Sequence, residues 1–240
     1  MAVDAGQWQA GLAMLAAGAA LGMLTPRIIG AVPEPVASPE QEPPEHPKRL
    51  YAEIAAGPGL AWKSAVATAV VTGVFGLSLG WDWRLLALVV FAPVGVALAV
   101  IDWQTTLLPT RLIAPSYVVT GALVVAAAVL VQDRDVAIRG GVGWVATFAF
   151  FFVLWFIYPR GLGYGDVRLS GVLGMALGQL GYASLLVGVY GAFILGGFGG
   201  LVLSALRLVD RRRFPFGPFM LLAAAIGVVA GPEVASSLGW

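Results

Sequence analysis

The sequence predicts an all-α polytopic membrane protein of about eight transmembrane helices, with the N-terminus and the C-terminus both outside. Three observations predict it. The 240 residues are 59% hydrophobic and only 11% charged, against about 25% charged in a soluble domain. The mean hydropathy is +0.88. The apolar runs also recur at the length of a membrane crossing, about 20 residues, and the turns between them hold most of the charge. A net charge of +1 gives no reason to expect nucleic acid as a partner. The chain has no cysteine, which removes disulfides and thiolate metal sites.

The first span, residues 6–29, is rich in Ala and Gly. No Lys or Arg precedes Arg27, so it lacks the basic flank of a cleaved signal peptide and is expected to be retained. Residues 31–59 follow, dense in Pro and Glu. That composition cannot bury a core and predicts an extended or disordered loop. His46, the one histidine, sits in this loop with no Cys nearby and is expected to be solvated rather than a ligand. Residues 1–60 therefore form a first span plus a cytoplasmic loop, and residues 61–240 a membrane-embedded domain.

Lys48, Arg49 and Lys63 introduce the second span, residues 62–80. The turn Trp81-Asp82-Trp83-Arg84 carries two tryptophans suited to an interfacial belt. The third span, 85–101, ends at Asp102. Pro109 and Pro115 bracket the start of a fourth, 112–131, and a polar stretch leads to a fifth, 142–158. The aromatic run in the fifth is expected to face lipid rather than line a cofactor pocket. The 38 residues between Arg168 and Arg207 carry no charge. As one helix they would run about 57 Å, too long for one crossing. Gly178-Gln179-Leu180-Gly181 is the natural break, giving a short sixth span and a longer seventh. Gly196 and Gly200 in the seventh are spaced for tight packing. The eighth runs over 218–230.

Counting crossings places Arg27, Lys48, Arg49, Lys63, Arg111, Arg160, Arg168, Arg207, Arg211, Arg212 and Arg213 on the side of the Pro/Glu loop. Only Arg84, Arg134 and Arg139 fall on the other. Cytoplasmic loops carry the excess of Lys and Arg, so the loop is expected in the cytoplasm. Asp102 and Asp166 then both lie at the cytoplasmic ends of their spans.

Ionisable groups at the edge of a span are rare and usually face a cavity or a partner. Asp166 lies in Gly161-Leu162-Gly163-Tyr164-Gly165-Asp166-Val167-Arg168. Taken alone it could simply cap the next helix. Its glycines allow positive φ or a close approach of another chain. Asp102 supplies a second carboxyl on the same face, and two converging carboxyls can share a proton and activate water. Helix ends assign the roles: Asp166, before the sixth span, is the ionised member. Asp102, closing the third, holds the proton.

Asp102 with Pro109 seven positions later, then Gly163-Tyr164-Gly165-Asp166, then Pro215-Phe216-Gly217-Pro218, resembles the type IV prepilin leader peptidase family over roughly residues 85–231. That family belongs to the GxGD membrane aspartyl proteases, with preflagellin peptidases and presenilins as distant relatives. The resemblance implies that Asp102 and Asp166 are catalytic. It also implies that Gly163, Gly165, Pro109, Pro215 and Gly217 shape the substrate site, with no metal and no cofactor. Gly161 with Gly163 and Gly165 would let a substrate backbone lie close. A plainer reading of Pro218 is that it starts a helix, and Arg168 is expected to meet lipid phosphate rather than orient Asp166. The implied partners are prepilin or pseudopilin substrates of type IV pilus or type II secretion systems, each with a short basic leader, and the lipid bilayer. The implied location is the inner membrane, with the site on its cytoplasmic side. Many members also methylate the new N-terminus and carry Cys-x-x-Cys pairs in the first loop. This chain has no cysteine, so it is expected to cleave without methylating. Gly22 to Pro33 keeps the Gly and Pro spacing of that region, with Pro26 and Gly30-Ala31 where the family has Asn and His-Arg. The alternative is an ion or proton transporter using the same carboxyls, which would favour mid-membrane positions, or a non-catalytic scaffold.

Overall fold

The computed structural model describes residues 4–34, 49–206 and 214–239. Most of the Pro/Glu stretch, His46, and the cations Lys48, Arg207, Arg211, Arg212 and Arg213 lie outside the described residues. Within them the protein is all-helical. In order the helices are α1 (Ala5–Gly22), α2 (Thr25–Gly30), α3 (Tyr51–Ala55), α4 (Leu60–Leu79) and α5 (Leu85–Thr105). There follow α6 (Thr110–Leu130), α7 (Arg134–Ile157), α8 (Tyr164–Gly178), α9 (Tyr182–Ala205) and α10 (Gly217–Leu238). Seven spans among the described residues are long and apolar enough to cross a membrane, α1 and α2 counting as one.

The remaining expected span, α8, is a helix of 15 residues, about 22 Å long against a hydrocarbon core of about 30 Å. It can be short because protein surrounds it. Asp166, Val167 and every residue from Leu169 to Gly178 are buried. Gln179 beyond it is fully buried and donates from Nε2 to the Arg84 carbonyl at 3.3 Å. The Trp81–Arg84 turn thus covers this end of α8, and an Arg84–Asp82 ion pair at 2.5 Å holds the turn. Trp81 and Trp83 stay exposed, as an interfacial belt requires.

Side chains small enough for backbones to meet build the seams between helices. α1 lies antiparallel to α4, with Gly22 where a Cβ would come 2.6 Å from the Ser64 carbonyl. α7 and α8 meet at Gly143, Gly174 and Gly178, where an added Cβ would run into a facing carbonyl. α9 and α10 meet at Gly227, where a Cβ would sit 2.6 Å from the Ser184 carbonyl. Gly196 packs tightly, but against a ring, that of Phe216, and Gly200 lies in ordinary contact with the Phe214 ring.

Local sequence explains the ends. Asp4 caps α1 by accepting from the Gln7 N–H at 2.8 Å, and the Gln7 side chain accepts from Asp4 N–H in return. Asp133 caps α7 through the Asp135 N–H. The expected break after α8 is present, with Gly181 at φ +137°, a conformation that side chains rarely adopt. α7 begins eight residues before the fifth apolar run, at Arg134. Its aromatic run faces two ways. Phe150, Phe152 and Phe156 are exposed, whereas Phe151 is buried against Phe193 and Phe216.

Candidate active site

Asp102 sits in the last turn of α5, where Thr106 at φ 53° stops the helix and donates its N–H to the Asp102 carbonyl at 2.8 Å. Asp166 is the third residue of α8, after the extended Gly163 at its N-cap. Both side chains are withdrawn from the surface, at 4% and 7% exposure. A buried carboxylate is costly unless it is hydrogen-bonded. Each has one backbone donor at a helix start. Asp166 Oδ2 accepts from Gly163 N–H at 3.1 Å, and Asp102 Oδ2 from Gly217 N–H at 2.9 Å.

That second bond alters the electrostatics read from sequence. There, Asp102 faced a helix C-terminus alone. The fold brings the N-terminus of α10 to it, because Gly217 is the first residue of that helix. Helix ends therefore no longer separate the two carboxyls into an ionised and a protonated member. Leu108 packs against both Gly165, the neighbour of Asp166, and Gly217, whose N–H binds Asp102, so the two carboxyls share one neighbourhood.

Leu108 fills the space between the motifs. A Cβ on Gly165 would lie 2.8 Å from the Leu108 Cβ, and one on Gly217 3.3 Å from its Cδ2. The same Gly217 Cβ would stand 2.8 Å from Asp102 Oδ2, and one on Gly163 3.0 Å from Asp166 Oδ2. None of Gly161, Gly163, Gly165 and Gly217 has positive φ. These glycines serve close approach, and in this structure the neighbours they admit are the chain's own: Tyr158 at Gly161, Asp166 at Gly163 and Leu108 at Gly165. Leu108 was not singled out in the sequence, where it is one apolar residue in a Thr-Leu-Leu-Pro turn. Its one signal there is its place immediately before Pro109.

The prolines frame the site. Pro109 is the extended N-cap of α6, and its carbonyl accepts from Leu112 and Ile113. It thereby fixes the return of the chain after Leu108. Pro215 is buried just before Phe216, whose ring lies over Gly196 and against Phe151 and Phe193. That ring cluster clamps the lead into α10 and so aims the Gly217 N–H at Asp102.

Arg168 turns away from the pair. Its guanidinium lies over the Tyr164 ring at 5.3 Å and donates to the Thr110 hydroxyl. Its carbonyl accepts from Tyr117 Oη at 2.6 Å. It ties the start of α8 to the start of α6. Among the described residues no three His, Cys, Asp or Glu side chains gather as a metal site would require. What remains is a pair of buried carboxyls, each with one oxygen bonded to backbone, an arrangement able to hold a shared proton and to activate a water.

Comparison with known proteins gives one consistent result. Residues 89–230 match the type IV leader peptidase family. The prepilin leader peptidase/N-methyltransferase of Aeromonas hydrophila is 28% identical over 176 residues, covering 70% of this chain and 57% of that protein. That of Bacillus subtilis is 28% identical over 171 residues, covering 70% and 65%. That of Pseudomonas aeruginosa is 27% identical over 172 residues, covering 70% and 58%. The chain thus spans about three-fifths of the length of these relatives. No solved structure matches it.

Proposed function

The chain belongs to the type IV leader peptidase family, and from that premise we propose that it is a membrane aspartyl endopeptidase. It removes the short basic leader of prepilin-like proteins at the cytoplasmic face. The observation that carries the proposal is the juxtaposition of Asp102 and Asp166, on separate helices, buried together and each anchored by a glycine N–H.

The chemistry follows from a pair sharing one proton. The ionised carboxyl takes a proton from water while the protonated one donates to the scissile carbonyl oxygen, and the water oxygen bonds to the carbonyl carbon. In the tetrahedral intermediate the carbon–nitrogen bond then breaks. The leaving nitrogen takes a proton from the carboxyl that received one, a hydroxyl of the intermediate returns its proton to the other carboxylate as the carbonyl re-forms, and the pair returns to its starting state. Leu108 and the glycine faces at Gly163, Gly165 and Gly217 form the walls beside which the substrate backbone lies. Pro109 and Pro215 hold those walls.

Charge supports the orientation. Arg111, Arg160 and Arg168 flank the helix ends on the side of the pair, and that excess marks the cytoplasmic side. Both termini are then outside. A basic leader would remain in the cytoplasm while the hydrophobic helix after it stays in the bilayer.

Cleavage without methylation is part of the same proposal. The relatives' names carry an N-methyltransferase, but this sequence has no cysteine with which to build a thiolate zinc site in its first loop. The test is co-expression with candidate prepilins from the same source, with mass spectrometry of the mature product. Loss of the leader with a free N-terminal amine is expected. An unprocessed substrate throughout would reject the peptidase. An added mass of about 14 Da, one methylene, dependent on this protein would reject the second half alone.

A further inference from the structure

A second concavity opens on the same end of the molecule as Asp102, but away from the carboxyl pair. It is a cavity of about 480 Å³ between the α3 segment, the start of α4 and the end of α5. Its polar rim is Arg49, Lys63 and Gln104, and deeper its wall is Ala67, Val96 and Val100. From Val96 to Gln104 the α5 wall runs eight residues, about 12 Å along the helix axis. The cavity therefore grades from cationic to wholly apolar along the direction of the spans.

Among the described residues, the rim cations are in no ion pair. The two ion pairs among the described residues, Arg84–Asp82 and Arg139–Asp133, involve neither of them. The two described acids that flank Arg49 in the chain, Glu34 and Glu53, are engaged with backbone. The Glu34 carboxylate accepts from the Tyr51 and Ala52 N–H groups at 3.0 and 2.9 Å, and Glu53 accepts from Leu50 N–H at 3.3 Å. Arg49 is held in place across the mouth, because its Nη1 donates to Gln104 Oε1 at 2.9 Å. Two exposed tryptophans, Trp62 and Trp103, flank the cavity, and the Lys63 ammonium lies 6.0 Å from the Trp62 ring centre. Tryptophans of this kind settle at headgroup level. That sets the cations at the depth of lipid phosphates, with the apolar wall below them.

We propose that this cavity is a binding site for one anionic phospholipid. Its phosphate lies between Arg49 and Lys63, with Gln104 holding the guanidinium, and one acyl chain runs along Ala67, Val96 and Val100. Charge complementarity selects the headgroup: a net-anionic lipid is attracted by both cations, while a zwitterionic one brings its own ammonium to the same rim. The apolar wall selects a lipid over free phosphate, which would leave that half of the cavity in contact with nothing it can bind. The site is independent of the catalytic proposal and would stand if the peptidase reading failed.

The experiment is titration of the purified full chain in detergent with dioleoylphosphatidylglycerol or dioleoylphosphatidylcholine, read by native mass spectrometry. Saturable binding of one phosphatidylglycerol in preference to phosphatidylcholine is expected. Arg49→Gln with Lys63→Gln should raise its Kd about thirty-fold, at roughly the contribution of two interfacial cations. Ala67→Trp, which fills the apolar half and leaves both cations, should also weaken it. Arg134→Gln, an exposed cation elsewhere, should leave it unchanged. Equal binding of the two lipids would overturn the proposal, as would an unchanged Kd in both cavity variants. Displacement of the lipid by millimolar inorganic phosphate would also overturn it, by making the site one for free phosphate.

Discussion

The Asp102 carboxylate accepts a hydrogen bond of 2.9 Å from the backbone N–H of Gly217, 115 residues further along the chain. A backbone donor cannot be removed by changing a side chain, but it can be pushed away. A Cβ on Gly217 would stand 2.8 Å from Asp102 Oδ2 and 3.3 Å from Leu108. Gly217→Ala is therefore expected to lower cleavage by about 10²-fold, the scale at which small displacements of catalytic groups act. The protein should still insert. Leader removal on a gel beside membrane abundance checks it, and cleavage at the normal rate would show that Gly217 does not position Asp102.

Asp102→Asn and Asp166→Asn should each reduce cleavage by about 10²–10⁴-fold, the usual share of a general acid or base. Neither carboxyl can take both proton roles. Both variants keep an oxygen to accept the Gly217 or Gly163 N–H, so abundance and thermal stability should change little. Near-normal processing by either would end the aspartyl reading.

Gly143→Ala tests the α7–α8 seam. The added methyl runs into the Gly174 carbonyl, a backbone atom that cannot swing aside. Overpacking of this kind costs about 1–3 kcal/mol, and the melting temperature in detergent should fall. Gly197→Ala is the control, since a Cβ there meets nothing within 4 Å.

Outside the spans, the Asp82–Arg84 pair gives a pH test. Burial works against the charge on Asp82, but hydrogen bonds from the Arg84 side chain and backbone, with its positive charge, outweigh it and hold the carboxyl below its usual range. A lowered carboxyl stabilises the fold above its unfolded value, about 3.9, and that contribution is lost as pH falls through the lower folded value. Asp82→Asn should thus cost on the order of 1 kcal/mol at pH 7, discounted for partial exposure. Melting curves of the two proteins should converge in acid, once the pH falls below the lowered folded value. A gap that persists there would mean the loss is one of packing.

Reporter fusions after Arg49 and Thr110 should report the cytoplasm, and one after Asp133 the outside. A cytoplasmic signal at Asp133 would reverse the side on which the carboxyl pair acts.

Much of the architecture was legible because it is written locally. Run length and charge gave the spans. Gly178-Gln179-Leu180-Gly181 gave the break before α9, because a single φ of +137° at Gly181 is a property of one residue. The aspartates stood out because a carboxyl next to an apolar run is conspicuous wherever the run packs. Hydropathy showed that α8 is short but not that protein encloses it. A helix rich in Gly and Leu has the same composition whether lipid or protein surrounds it.

Beside the glycines near Asp166 the structure places Leu108 at Gly165 and Asp166 itself at Gly163, neighbours that no local pattern names. The Gly196 and Gly200 pair looked like a helix–helix seam and instead seats phenylalanine rings. In the same way, the helix-end argument gave Asp102 only the terminus of its own helix, and α10 brought it a second. By itself the sequence determined which segments enter the membrane and that two carboxyls end on one face, since burial in lipid and the cost of charge act on each segment separately. Tertiary structure decided which N–H each carboxyl accepts, and that Leu108 packs against both Gly165 and Gly217. Those contacts depend on small-residue seams between helices distant in the chain, and no single segment encodes both sides of a seam.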